Sequence, residues 1–142
     1  MKWKLEEQLC FLLYANARMI TKAYKDILDP FNLTYTQYVT LIALWEKDHQ
    51  LVSELGAKLR LDSGTLTPLL KKLERDGTLT RTRGSEDNRK VYIDLTSKGR
   101  QLALDCAIVP EKILAKIPFS KERIEPLYDI LKTFYQEEGE RL

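Results

Sequence analysis

A mainly α-helical fold with one small β-hairpin is what this 142-residue sequence predicts: a winged helix-turn-helix whose N- and C-terminal helices form a dimerisation region. Three observations predict it. Leu66, Leu69, Leu70 and Leu73 fall at i, i+3, i+4 and i+7, the spacing of one buried helical stripe, directly after a shorter helical segment. Past Gly77, the run TLTRTRGSEDNRKVYIDLT reads as two short alternating strands joined by a loop rich in arginine and acid. Both ends of the chain carry more apolar residues than one small core needs.

Taken in order, residues 4–28 read as one long helix, with Leu5, Leu9, Leu12, Leu13, Ile20, Ile27 and Leu28 spread over more than one face. Asp29-Pro30 and Asn32 break it. Thr34-Tyr35-Thr36-Gln37 has the form of a capping box, so a second helix starts there and runs through Tyr38, Leu41, Ile42 and Trp45 to a polar patch at 46–50. A short helix follows with Val52, Leu55 and Leu59 inward. A tight connection at 60–62 leads into the Leu66–Leu73 helix, capped by Asp62 or Ser63. Pro68 lies in its second turn, removes one backbone hydrogen bond and predicts a slight kink. After the hairpin, Thr96 caps a helix carrying Leu102, Ala103 and Cys106, bent near Pro110. Ser120 caps the last helix, where Ile124, Leu127, Tyr128, Leu131, Phe134 and Tyr135 form an apolar stripe that stops near Gly139. The organisation expected is 1–33 for dimerisation and sensing, 34–99 for the winged helix-turn-helix, and 100–142 for C-terminal dimerisation helices, all in one compact domain.

Composition narrows the function classes. Hydrophobic residues at 44% and charged residues at 31% describe a well-packed chain rather than a disordered one. The net charge of +2 is unevenly divided: residues 58–90 hold nine Lys/Arg against five Asp/Glu, and the rest holds fourteen against sixteen. Positive charge therefore gathers on the second helix of the helix-turn-helix and on the hairpin, as a phosphate-binding surface requires. No apolar run approaches the ~18 residues of a membrane span. The acids in MKWKLEEQLCFLLYANAR argue against a cleaved signal peptide, so the cytoplasm is the expected location. Two cysteines and one histidine, His49, form no metal-ligand spacing and no nucleophile–base pair, so neither a metal nor a cofactor is implied.

The outer face of the Leu66–Leu73 helix offers Ser63, Thr65, Thr67, Lys71 and Arg75 to phosphates and base edges of double-stranded DNA. Arg83 and Arg89 of the hairpin suit the flanking backbone. A dimer would bring two such helices to half-sites of a pseudo-palindromic operator one turn apart, roughly 34–36 Å. On the residues alone, Cys10 reads either as a small apolar helix residue or as a reactive thiol. Tyr14, one turn away, can donate a hydrogen bond that favours the charged sulfur. Tyr24 is nearly three turns away and reaches that sulfur only from a second subunit.

LTYTQYVTLIALWE (33–46), LGAKLRLDSGTLTPLLKKLERDG (55–77) and RTRGSEDNRKVYIDLTSKG (81–99) resemble the MarR family of dimeric winged-helix regulators, in its organic-hydroperoxide-sensing branch. The N-terminal run LCFLLYANARMITKAY (9–24) is similar to that branch's sensing segment. The resemblance implies a repressor released from its operator when organic hydroperoxide oxidises Cys10, with Tyr14 and Tyr24 contacting the sulfur in the dimer. It also implies that Arg89, in Asp87-Asn88-Arg89, enters a minor groove while Asp87 braces nearby basic groups. Two-cysteine members resolve the oxidised sulfur with a thiol near the turn before the last helix, where this chain has Phe119 and Ser120. Cys106 then reads as a core residue, and a small thiol as the resolving partner. Three other readings stay open: release by a small phenolic or apolar ligand lodged near Tyr35, Tyr38 and Trp45, a thiol peroxidase using Cys10, and a winged helix that binds protein rather than DNA.

Overall fold

The computed structural model describes residues 3–138. One 3-10 turn at Leu5–Glu7 precedes α1 (Leu9–Leu28), and a second at Asp29–Phe31 follows it. Then come α2 (Tyr35–Glu46), β1 (Gln50–Leu51), α3 (Val52–Leu59), α4 (Ser63–Arg75), β2 (Leu79–Arg83) and β3 (Val91–Leu95). The chain continues through α5 (Ser97–Asp105), a 3-10 turn at Cys106–Ile108, α6 (Val109–Leu114) and α7 (Lys121–Thr133), and widens into a π-type turn at Phe134–Glu138. This is the predicted mainly helical winged fold. The expected stop at Gly139 lies outside the described residues.

Local signals place the helix starts. Both arms of the capping box form, Gln37 N–H donating to Thr34 Oγ1 (3.3 Å) and Thr34 N–H to Gln37 Oε1 (2.9 Å). Asp62, not Ser63, caps α4 by accepting from Thr65 N–H at 2.8 Å. Thr96 caps α5 through Gly99 N–H at 3.1 Å. Ser120 occupies the N-cap of α7, but its side chain makes no capping bond. Asn32 and Gly77, at φ 55° and 76°, turn the chain after α1 and α4.

Four expectations need correction. Helix α1 begins at Leu9 rather than residue 4, because Gln8 turns its side chain back to the Lys4 carbonyl (3.3 Å) and takes an extended conformation as N-cap. The polar patch 46–50 contains a strand: Gln50 and Leu51 pair with Ile93 and Tyr92, so the sheet has order β1-β3-β2, antiparallel throughout. The bend expected near Pro110 comes earlier, at Cys106–Ile108, since Pro110 cannot donate to the Cys106 carbonyl and starts a fresh helix. The segment after α5 is also not wholly outside the core, because Val109 and Ile113 on α6 are buried.

Leu28, Leu41, Leu44, Leu55, Leu70 and Ile93 anchor one continuous core. Gly99 lets α5 close on the sheet: a Cβ there would meet the Thr78 carbonyl oxygen at 2.1 Å, and the Gly99 carbonyl accepts from Trp45 Nε1 at 2.9 Å. The contrast lies at the ends. Leu9, Leu13, Met19 and Ile20 on α1, Leu127, Ile130 and Leu131 on α7 and Phe134 in its closing turn are exposed, up to 70% at Leu9. Among the described residues, no helix is long and apolar enough to cross a membrane.

Candidate nucleic-acid interface and thiol site

Helix α4 buries Leu66, Leu70 and Leu73, leaves Leu69 half-buried, and turns its polar face outward. It runs unbroken through Pro68, so the Gly64 carbonyl one turn earlier has no helical donor and is left to solvent on the exposed side. Opposite this face stands the hairpin. Between them lies a concave groove of 580 Å³, with Ser63, Thr67 and Lys71 on one wall and Arg83, Arg89 and Lys90 on the other. Its lining holds basic side chains from both walls and, among the described residues, no carboxylate. Of the residues singled out in the sequence, Ser63, Thr67, Lys71, Arg83 and Arg89 converge here. Thr65 and Arg75 are exposed on α4 but do not line the groove. Lys90 was not singled out for the site, although the basic pair Arg89-Lys90 was its signal.

The hairpin's arginines differ in what holds them. Arg81 Nε pairs with Glu74 Oε1 of α4 at 3.2 Å, and Glu74 Oε2 accepts the Arg81 backbone N–H at 3.0 Å. β2 is an edge strand, so Glu74 both covers a free edge amide and ties the hairpin to α4. Arg83 Nη1 donates to the Asn88 carbonyl at 2.9 Å, bracing the loop. Arg89 is 88% exposed at its side chain and, among the described residues, is held by Asp87 alone, Nε to Oδ1 at 3.1 Å. Asp87 also accepts the Arg89 backbone N–H at 3.0 Å. The Arg89 side chain, its backbone N–H and nearby Lys90 hold the Asp87 carboxyl below the usual carboxylate range. Asp87 therefore braces Arg89 itself and aims its guanidinium outward.

The two cysteines sit in opposite surroundings. Cys10 is exposed in the first turn of α1. It is therefore not a core residue of its own chain. Cys106 is 2% exposed in the core, where burial, and then the Asp105 carboxylate, push its thiol up to about 11. Tyr14 does not engage Cys10 within the chain: its hydroxyl accepts from Arg18 Nη1 at 3.4 Å, and that guanidinium lies 5.5 Å from its ring centre. Tyr24 belongs to an aromatic cluster, 4.7 Å from Tyr35 and 5.9 Å from Tyr38 between ring centres. Burial, then Tyr35 and Tyr38, push its hydroxyl up to about 12, so it stays a proton donor at neutral pH. Tyr35, which the sequence did not single out beside Tyr24, is its nearest ring.

A pocket of 550 Å³ between α1 and the start of α2 is lined by Tyr14, Arg18, Thr21, Lys22 and Tyr35, among others. Only Tyr35 of the three aromatics considered for a ligand pocket reaches it. Tyr38 is buried, and Trp45 is fixed to Gly99.

The family model described as "Transcriptional regulator SarA/Rot" matches residues 22–105. The organic hydroperoxide resistance transcriptional regulator of Bacillus subtilis is 47% identical over 137 residues, covering 94% of this chain and 93% of that protein. This chain belongs to the MarR/SarA family of transcriptional regulators. The members of this family are regulators and not enzymes. Among solved structures, reduced AbfR bound to DNA is 34% identical with a TM-score of 0.81, covering 96% of this chain and 93% of that one. Disulfide-formed AbfR is 37% identical with a TM-score of 0.63, covering 91% and 86%. This chain is thus closer in shape to the reduced, DNA-bound form than to the disulfide form.

Proposed function

We propose that this chain works as a cytoplasmic homodimer that binds pseudo-palindromic operator DNA, represses transcription, and lets go when organic hydroperoxide oxidises Cys10. The observation that carries the reading is the basic groove between α4 and the hairpin, on a chain whose two terminal helices leave apolar faces uncovered. Residues 34–99 supply the DNA-reading part, with Ser63, Thr65, Thr67, Lys71 and Arg75 on α4 and Arg83 and Arg89 on the wing. Residues 1–33 and 100–142 supply the dimer interface, which removes leucine and isoleucine side chains from water.

Cys10, Tyr14 and Tyr24 form the sensing site across that interface. Tyr24 donates to the partner's sulfur, and Tyr35 travels with it because their rings are packed together. The Cys10 thiolate attacks the terminal peroxide oxygen. The O–O bond breaks, an alcohol leaves after taking a proton, and the sulfur becomes a sulfenic acid. A small thiol then condenses with it, losing water and forming a mixed disulfide. Cys106 takes no part, being buried and protonated. The bulk added at the interface respaces the two α4 helices and breaks their register with the half-sites.

The test is DNA binding of reduced wild type and Cys10→Ser, using duplexes that the wild type selects from a random pool, with and without cumene hydroperoxide. Wild type is expected to release DNA and Cys10→Ser to hold it. Release of both overturns the redox reading. It would favour a second one, in which an apolar ligand enters the pocket beside Tyr14 and Tyr35 and needs no cysteine.

A further inference from the structure

We propose that Tyr135 and Arg60 are positioning residues that latch the end of the C-terminal helix onto the turn of the helix-turn-helix, so that the place of α7 sets the place of the recognition helix. The inference rests on the proposed reading of α4 as the DNA reader and α7 as an interface helix. Tyr135 lies in the π-type turn after α7, an irregularity that recurs where a helix serves a function. Three contacts hold it to the α3–α4 turn. Its hydroxyl donates to the Lys58 carbonyl at 2.6 Å, its own carbonyl accepts from Arg60 Nη2 at 2.7 Å, and the Arg60 guanidinium stands 5.1 Å from its ring centre.

Each contact meets a need of the turn. The Lys58 carbonyl is among the last of α3, which the helix leaves without a partner of its own. Arg60 ends α3 in the left-handed region at φ 56°, where glycine or asparagine is the ordinary choice. An arginine there is explained by its side chain, which is spent on Tyr135. Two residues on, Asp62 caps α4. The latch therefore acts on the segment that fixes the N-terminus of α4. Among the described residues, these two are the hydrogen bonds joining α7 and its closing turn to the rest of the chain beyond the α7 N-terminus. A displacement of α7 at the interface passes through them.

The experiment is a double-mutant cycle in the full-length reduced protein, reading DNA affinity with Arg60→Asn, Tyr135→Ala and both together. Asparagine keeps the left-handed turn and loses only the guanidinium. Each single change is expected to weaken binding about three- to tenfold, the scale of one or two hydrogen bonds, and the pair to be no worse than the stronger single. Sedimentation should find the dimer intact in all three. Tyr135→Phe, which keeps the ring, should fall between wild type and Tyr135→Ala. Additive losses, or none, overturn the latch while wild type still binds. A wild type without salt-sensitive DNA binding overturns the underlying reading instead.

Discussion

The winged centre of this molecule and its terminal helices are built from similar leucines and isoleucines, yet they treat them in opposite ways. In the centre, Leu44, Leu55 and Leu73 are fully buried, and no buried side-chain nitrogen or oxygen among the described residues lacks a hydrogen-bond partner. On α1 and α7, Leu9 and Ile130 are 70% and 66% exposed. Burying a leucine is worth about 1.5–3 kcal/mol, so the uncovered faces of these two helices support the proposed homodimer. The cysteines divide along the same line. Cys106 is sealed in the self-sufficient part, and Cys10 stands on a helix whose apolar side chains are exposed. On the proposed reading, a signal delivered at Cys10 lands on the region that meets the second chain, and can change that arrangement without unfolding the reader.

Two substitutions can break this contrast. The larger effect is expected from Gly99→Ala in the centre. The new Cβ would stand 2.1 Å from the Thr78 carbonyl oxygen and 3.0 Å from Leu95 Cδ2, with backbone on one side and core on the other. A loss of ~4 kcal/mol or more is expected in urea unfolding, the range reserved for steric conflict in a core. A loss below ~1 kcal/mol would mean that α5 is not locked to the sheet as described. Leu131→Glu on α7 comes next. It should leave the helical circular dichroism near wild type and weaken self-association by about 100-fold, the order expected for a charge buried without a partner. Sedimentation equilibrium across a dilution series decides it, and an unmoved dimer would place the interface elsewhere.

How much of this was legible in the sequence follows from range. Thr34 with Gln37, and Asp62 with Thr65, are bonds over three residues, so their motifs stand in the sequence as they stand in space. The stripe of α4 is equally local. β1 was illegible because Gln50 and Leu51 are a strand only by pairing with Tyr92 and Ile93, some forty residues away. Arg81 and Arg83 look alike along the strand, and what separates them is Glu74 beside the first and the Asn88 carbonyl beside the second. Tyr24 and Tyr35 lie on opposite sides of the Asp29–Asn32 break, and that turn is what brings their rings together. The apolar ends could be read as surplus, but not which residues α6 returns to the core.

The two thiols offer a sharper and smaller test. Burial pushes the Cys106 thiol up to about 11 in the fold, above the ordinary value near 8.5 for an unfolded thiol. Its folded pKa is raised, so its contribution is fully present below pH ~8.5 and is lost as pH rises toward 11. Across that window the unfolded chain gives up a proton that the folded chain keeps, which costs the fold about 3 kcal/mol. The stability advantage of wild type over Cys106→Ala should therefore shrink steadily between pH 8 and pH 10.5 in urea titrations. A constant difference would mean that the Cys106 site is wet. In native protein at pH 8, iodoacetamide should label Cys10 and spare Cys106, and mass spectrometry of the peptides reads this directly.

The smallest effect separates two arginines of one hairpin. Arg89 is exposed and anchored only to an aspartate in its own loop, whereas Arg81 is tied by Glu74 to α4. If Arg89 meets a phosphate or a minor groove in each half-site, Arg89→Ala removes one cation per protomer. The slope of log affinity against log salt should then flatten by about 2 for the dimer, with affinity falling about tenfold at moderate salt. Arg81→Ala should leave that slope almost unchanged, because its charge is already matched by Glu74. Its weaker binding would come from a hairpin no longer held against α4, so Glu74→Gln should reproduce it. Equal slopes for the two arginine variants would show that exposure and anchoring do not distinguish them, and the groove would then be only a basic surface.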